Sequence, residues 1–386
     1  MTLNDCEGLS VGISTVRAVA AQAILRRRFS ACSIGMVRKD ARMVANFGTH
    51  AYPDLGYPHV ATHNGSRFDI ASITKSIPVA LLTLWAVTEG LLTLDTPVLK
   101  FFPDMKCNTF ESPTIHDLLA YRAWLETAWL QKPYSQFSPS ELYKALTKTN
   151  ISLTRSQFHY GNQAPMLLGF ILEQVTKMCL EELAQHVLFD LLGMKDTTFW
   201  PEAGDDKNYV YTEGDKPGVV HDEITRAIAR PSGASGVFST SSDLLLPLRL
   251  LLNKGAWEGK QLIREDLIAQ IGVNQLGSGT MFGLGFGVWE QFLKGFEEMP
   301  KSVRKYVEEK TRGAYFKLGY TGTMCAVFPE LDTGIVILTN TVHPTREGSS
   351  LKINQLRYIL CMLLLTNEFP LGADGWWRDT REQGDE

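Results

Sequence analysis

Phe68-Asp69-Ile70-Ala71-Ser72-Ile73-Thr74-Lys75 runs directly into an amphipathic segment, with Ile77, Leu81, Leu84 and Trp85 on one helical stripe and Gly90 as its stop. The periodicity predicts a helix over 73–89 opening at Ser72, with Pro78 requiring that it start close to Thr74 or bend in its first turn. At such a start, residues three apart share a face, so the Lys75 amine reaches the Ser72 hydroxyl. A serine hydroxyl is a poor nucleophile until a neighbouring base takes its proton. Lysine serves as that base when burial or a nearby cation lowers its pKa. The free N–H groups of a helix start favour negative charge developing on an attacked oxygen.

Ser-x-x-Lys alone is weak, since the chain contains it three times: Ser72/Lys75, Ser302/Lys305 and Ser349/Lys352. Ser302 lies in the highly charged stretch 297–310, where lysines are solvated and keep their protons. Ser349 follows a polar turn after Pro344. Only Ser72 combines a helix start with an apolar stripe behind it.

Working outward, residues 11–28 alternate apolar and basic positions at helical spacing and end in Arg26-Arg27-Arg28, a surface helix. Residues 31–48 read as two strands joined at Lys39-Asp40. Helical patterns follow near 114–120, 139–147, 163–177, 180–191 and 240–254, and strand patterns at 282–290, 314–317, 324–328 and 334–340 before a last helix over 351–366. The fold class expected is α+β: an antiparallel sheet built from the N- and C-terminal segments, flanked by helices, with an inserted, mostly helical lobe. We expect one catalytic unit, with 12–70 and 255–366 forming the α/β lobe, 71–254 the helical lobe and 367–386 a tail.

The bulk numbers exclude some functions. A net charge of −4 over 386 residues gives no long-range attraction to nucleic acid or anionic lipid. The longest apolar stretch, near 360–366, falls short of the roughly 20 residues of a bilayer span. The first residues carry Asp5 and Glu7 where a secretory signal has lysines, so a cytoplasmic protein is expected. Six scattered cysteines suggest free thiols rather than a zinc site or a disulfide framework. His59 and His63 are four apart, but Pro58 makes a poor helix there, and no metal or cofactor is expected.

The Phe68–Lys75 stretch resembles the first motif of class C β-lactamases, D-alanyl-D-alanine peptidases and related esterases. Tyr160-Gly161-Asn162, followed by an apolar helix, is similar to that family's second motif, Tyr-x-Asn. Lys317-Leu318-Gly319 is similar to its third, a Lys/His-Thr-Gly on an edge strand; Tyr320-Thr321-Gly322 is an alternative register that lacks the cation. Further similar segments stand in order at 92–98, 192–197 and 236–244, and His221-Asp222 resembles a recurring Val-His-Asp. The resemblance covers roughly residues 12–345.

It implies a β-lactamase/transpeptidase-like serine hydrolase that cleaves an ester or amide through an acyl-enzyme. Ser72 would be acylated, Lys75 would take its proton, and Tyr160 would shuttle a proton at the leaving group. Asn162 would hold the substrate's amide side chain, and Lys317 would face a substrate carboxylate and keep Tyr160 acidic. The backbone N–H groups of Ser72 and Tyr320, beside Gly319, would form the oxyanion hole. The substrate would be a small molecule or a peptide. An acyltransferase using the same site, or a non-catalytic binding or structural protein retaining the fold, are the alternatives.

Two departures from the family pattern stand out. Leu318 replaces a hydroxyl-bearing residue, and Tyr121-Arg122-Ala123-Trp124 replaces a stretch that in relatives reads His-Thr-Ser-Gly and flanks the site, so a pocket remodelled by a tyrosine, an arginine and a tryptophan is expected. The charged insertion 292–312 reads either as a solvated surface helix or as a lid over the site.

Overall fold

Apolar and β-branched runs from opposite ends of the chain meet in one antiparallel sheet. β1 (Ala31–Arg38) and β2 (Ala41–Gly48) come from the N-terminal side; β3 (Gly287–Val288), β4 (Tyr315–Leu318), β5 (Met324–Phe328) and β6 (Thr333–Thr339) come from the C-terminal side. The order is β3-β4-β5-β6-β1-β2, and the ends join where Cys32 faces Thr339 and Arg38 faces Thr333. The computed structural model describes residues 3–39, 41–126, 136–154, 157–201, 207–277, 280–290, 309–347 and 353–366, with side chains from residue 14 onward.

Strand side chains alternate between the two faces. Met324, Ala326, Phe328, Ile335 and Ile337 pack with Val16, Val19 and Ala23 of α1 (Leu3–Leu25) and with Leu356, Ile359 and Leu363 of the C-terminal helix Ile353–Thr366. Cys325, Val327, Val336 and Leu338 belong to the core on the other face, with Leu245 and Leu248 of the helix Ser241–Leu252. Each such leucine contributes roughly 1.5–3 kcal/mol by leaving water. With both faces covered, β5 and β6 are buried along their whole length, so β5 reads as a continuous apolar run and β6 as one between its terminal threonines.

The helices between the two halves of the sheet include α2 (Leu81–Thr88), α3 (Ile115–Leu119), α4 (Pro139–Thr147), α5 (Gln163–Thr176), α6 (Glu223–Ile228) and α7 (Ser241–Leu252), ahead of α8 (Ile353–Thr366). Their starts are set by side chains. Thr114 with Asp117 and Ser138 with Glu141 form reciprocal capping boxes, and Thr240 accepts from the Asp243 N–H. Five free cysteines are described: Cys32, Cys325 and Cys361 buried, Cys107 partly buried and Cys179 exposed.

The structure corrects three expectations. The helix predicted over 73–89 is broken: Ala71–Lys75 is a tight 3₁₀ turn, Ile77 is extended at φ −121° and ψ 107°, and the regular helix begins only at Leu81. Pro78 is the cause, since it supplies no N–H and its ring pushes the preceding residue out of the helical region. The strand predicted over 282–290 shrinks to Gly287–Val288. There Gly285, at φ +80°, lets the chain turn against Ala80, whose Cβ would be 2.4 Å from any Cβ added at this glycine. The first helix runs Leu3–Leu25 and leaves Arg26–Arg28 outside it, ending as Arg27 takes a left-handed φ of 52°.

The segment Ala71–Thr88 is apolar and long enough to cross a bilayer, but 83% of it is buried inside the protein, as expected of a core segment. Ser302, Lys305, Ser349 and Lys352 lie outside the described residues, as do the tail 367–386 and all but 309–312 of the proposed lid.

Candidate active site

Ser72 stands where a short strand, Phe68–Asp69, turns into the 3₁₀ segment. Ala71 just before it has φ +47°, a left-handed conformation that costs a residue with a Cβ roughly 1–2 kcal/mol. A buried carboxylate holds that turn: Ala71 N–H donates to Asp69 Oδ1 at 2.8 Å. Lys75, 2% exposed, lies one turn on, with Nζ 2.8 Å from Ser72 Oγ and donating to Ala234 O at 2.7 Å. Burial lowers its pKa from 10.5 to about 8, with the Asp222 carboxylate pulling the other way.

Tyr160 reaches the same point from the loop before α5 and shares a hydrogen bond with the Ser72 hydroxyl. The residue as a whole is 49% exposed, while burial of the hydroxyl raises its pKa to about 12 against the lowering effect of that hydrogen bond. Burial thus works against the acidic Tyr160 that the resemblance implies. Lys317, on β4, is 3% exposed and has no hydrogen-bond partner among the described residues. Its Nζ sits over three rings, 4.8 Å from the centre of Tyr160, 5.1 Å from Phe282 and 5.2 Å from Tyr121. Burial, then the charge of Lys75, depresses its pKa well below the ordinary lysine value.

Gly319 brings β4 against the serine turn. A Cβ there would lie 2.1 Å from Thr323 Oγ1 and 2.4 Å from Ile70 O, so no other residue fits. Thr321 and Thr323 lace the same strand end to the turn by donating to Asp69 O and Ile70 O. Tyr320 is half exposed at the mouth, and its ring stacks on His221 at 5.4 Å.

Ser72, Tyr160, Phe282, Lys317, Tyr320 and Arg357 contribute to the wall of a cavity of about 370 Å³. A second cavity of about 490 Å³, walled by Trp124, His159, Asn162 and Ile224, shares Tyr160 with the first. Of the remodelled stretch, Tyr121 reaches Lys317 and Trp124 reaches the second cavity, as expected. Arg122 does not: the left-handed φ of 54° at Tyr121 turns the chain back, and Arg122 Nε faces Asp117 Oδ1 at 3.4 Å.

The structure thus brings together Ser72, Lys75, Tyr160, Lys317, Gly319 and Tyr320, with Asn162 one step away. Asn162 Nδ2 donates to Asp222 Oδ2 at 2.8 Å, so one of its two amide hydrogens is already committed. Asp222 also caps α6 by accepting from Thr225 N–H. Its charge reaches Lys75, a link invisible in a sequence where it stands 60 residues from Asn162. Arg357 of α8 was also missed. It is buried, donates to Gly319 O at 2.6 Å and to Thr323 O at 3.0 Å, and burial lowers its pKa to about 9. The available signal was a lone cation inside an apolar helix.

Fold and site together define a serine hydrolase of the β-lactamase and carboxypeptidase kind. The chain belongs to the β-lactamase family, whose model matches residues 18–358. A putative D-alanyl-D-alanine carboxypeptidase of Salmonella agona is 26% identical over 323 residues, which cover 75% of this chain and 72% of the relative. Among solved structures, a hydrolase with promiscuous acyltransferase activity superposes with a TM-score of 0.70 at 20% identity, over 90% of this chain and 99% of the other. A β-lactamase/D-alanine carboxypeptidase from Pseudomonas syringae superposes with a TM-score of 0.69 at 19% identity, over 93% and 99%.

Proposed function

We propose that the protein hydrolyses an ester or amide through an acyl-enzyme on Ser72, with Lys75 as the base that activates it. The observation that carries this reading is the 2.8 Å approach of Ser72 Oγ to a buried amine whose pKa is lowered to about 8. An appreciable share of that amine is unprotonated near neutral pH, and its lone pair accepts the serine proton as Oγ attacks the carbonyl.

The phenol of Tyr160, with a pKa raised to about 12, is the wrong group to take that proton and the right one to pass it on. Tyr160 donates to the departing oxygen or nitrogen and is reprotonated from Lys75. Water then enters and the same groups run in reverse to release the acid. The developing oxyanion is met by the N–H groups of Ser72 and Tyr320, residues on the wall of one cavity. Lys317 adds positive potential when a substrate carboxylate or the oxyanion draws a proton to it.

A second reading, acyl transfer, is favoured by the cavity of about 490 Å³ bordered by Tyr160, large enough to seat an alcohol or amine in place of water. The deciding experiment treats wild type and Ser72→Ala with a fluorophosphonate, reads intact mass, and follows p-nitrophenyl esters, D-amino-acid amides and a chromogenic β-lactam with and without added alcohol. Wild type gains one adduct and Ser72→Ala gains none. Labelling that persists in Ser72→Ala would remove the nucleophile, and no turnover of any activated acyl donor would favour a non-catalytic protein.

A further inference from the structure

Both N–H groups assigned to the oxyanion hole lie on segments that meet at one buried residue. We propose that Asp69 is the positioning residue of the oxyanion hole: its carboxylate holds the Ser72 segment and the His221 segment beneath Tyr320, and its main-chain carbonyl holds Thr321 beside Tyr320. This inference rests on the reading of Ser72 as the nucleophile.

Three contacts carry it. Asp69 Oδ1 accepts from Ala71 N–H at 2.8 Å and so fixes the left-handed residue whose next amide is that of Ser72. Asp69 Oδ2 accepts from His221 N–H at 2.7 Å, and the His221 ring lies under Tyr320. Asp69 O accepts from Thr321 Oγ1 at 2.7 Å, one residue beyond Tyr320. His221 is steadied in turn, its Nε2 3.1 Å from Glu213 Oε2, with Arg346 bonded to the same carboxylate.

The side chain must be an acid. Two N–H donors converge on its two oxygens, and an asparagine offers one acceptor while its NH₂ opposes the second donor. Asp69 is 3% exposed. The charged and titratable groups facing it are Asp222, Arg226 of α6 and His221, whose own pKa is lowered by burial. Burial is the largest influence on Asp69 and raises its pKa to about 6, against the lowering effect of the two N–H bonds. Protonation puts a hydrogen on one of the two acceptors, so the clamp opens on the acid side.

The test compares wild type, Asp69→Asn and Thr321→Val in kcat and KM for a p-nitrophenyl ester, in affinity for an arylboronic acid that forms a tetrahedral adduct on serine, and in thermal unfolding. For Asp69→Asn we expect kcat to fall about 10²–10³-fold, the effect of losing one oxyanion donor, with KM within about threefold and boronate affinity falling in step with kcat. Thr321→Val, which keeps the carboxylate and removes only the bond to the main-chain carbonyl of Asp69, shows the same pattern at about tenfold, and tests that half of the clamp if Asp69→Asn does not fold. In wild type log kcat/KM rises with one proton per pH unit between about 6 and 8 and with two below about 6; in Asp69→Asn the second is lost. Changes within threefold in both kcat and boronate affinity, or an unaltered acid limb, would overturn the clamp. A wild type that takes no fluorophosphonate would instead overturn the Ser72 reading beneath it.

Discussion

Replacing Lys75 by methionine should separate what the amine does for catalysis from what it costs the fold. The folded protein holds this amine at about 8, against 10.5 when unfolded. At ~1.4 kcal/mol per pH unit, that gap is about 3 kcal/mol of stability forgone, and with the side chain 2% exposed solvent screening does not reduce it. The sign follows from proton counts. Between about 8 and 10.5 the unfolded chain binds the proton and the folded one does not, so wild-type stability rises with pH across that window and the full penalty applies below it. Lys75→Met carries no such penalty, but it leaves Ala234 O without its donor, which costs about 1–3 kcal/mol at every pH. Equilibrium urea unfolding followed by circular dichroism should therefore show a stability difference, variant minus wild type, that falls by about 3 kcal/mol between pH 7 and pH 10.5. Other alkaline-titrating groups are common to both proteins and largely cancel. Ester hydrolysis at pH 7 should drop by at least about 10⁴-fold, the scale seen when one member of a catalytic unit is removed. A difference constant within 1 kcal/mol over that range would refute the claim that burial depresses the amine, and with it the case for Lys75 as the base.

Tyr160→Phe keeps the ring over Lys317 and removes only the proton carrier, so kcat should fall about 10²–10³-fold while fluorophosphonate labelling of Ser72 persists, as rapid-quench and intact-mass measurements would show. Gly319→Ala forces a Cβ to within 2.1 Å of Thr323 Oγ1 and 2.4 Å of Ile70 O, and should cost about 1–3 kcal/mol in thermal unfolding together with most of the activity. A melting temperature equal to wild type would contradict the packing described at that strand end.

What the sequence revealed here depended on range. Ser72 and Lys75 were legible because a spacing of three on a turn brings them together and the apolar stripe behind them singles out one of three copies of the pattern, whereas Tyr160 and Lys317 were legible only through the resemblance of their short motifs to the family pattern. The sheet was legible from local pattern: β5 is apolar throughout, β6 is apolar between its terminal threonines, and turns bound both. Contacts between distant segments were not. Nothing in Val220-His221-Asp222 announces that the aspartate bonds Asn162, nor that His221 N–H reaches Asp69 152 residues earlier. Backbone reversals were the other blind spot. The left-handed Tyr121 sends Arg122 away from the cleft that a simple extension of the strand would have given it, and Ile77 breaks a stripe whose side-chain pattern is perfectly helical.

The pairing of β1 with β6 also bears on how the protein is made. The partners Cys32 and Thr339 are about 300 residues apart, which at 5–20 residues per second is roughly 15–60 s of translation. Through that interval the hairpin of β1 and β2 has emerged with one edge unpaired, and the strand end that carries Lys317 does not yet exist. The nascent chain is therefore a sticky, inactive template until β4, β5 and β6 arrive, and premature termination anywhere before β6 should yield material that chaperones hold or proteases clear rather than a weakened enzyme.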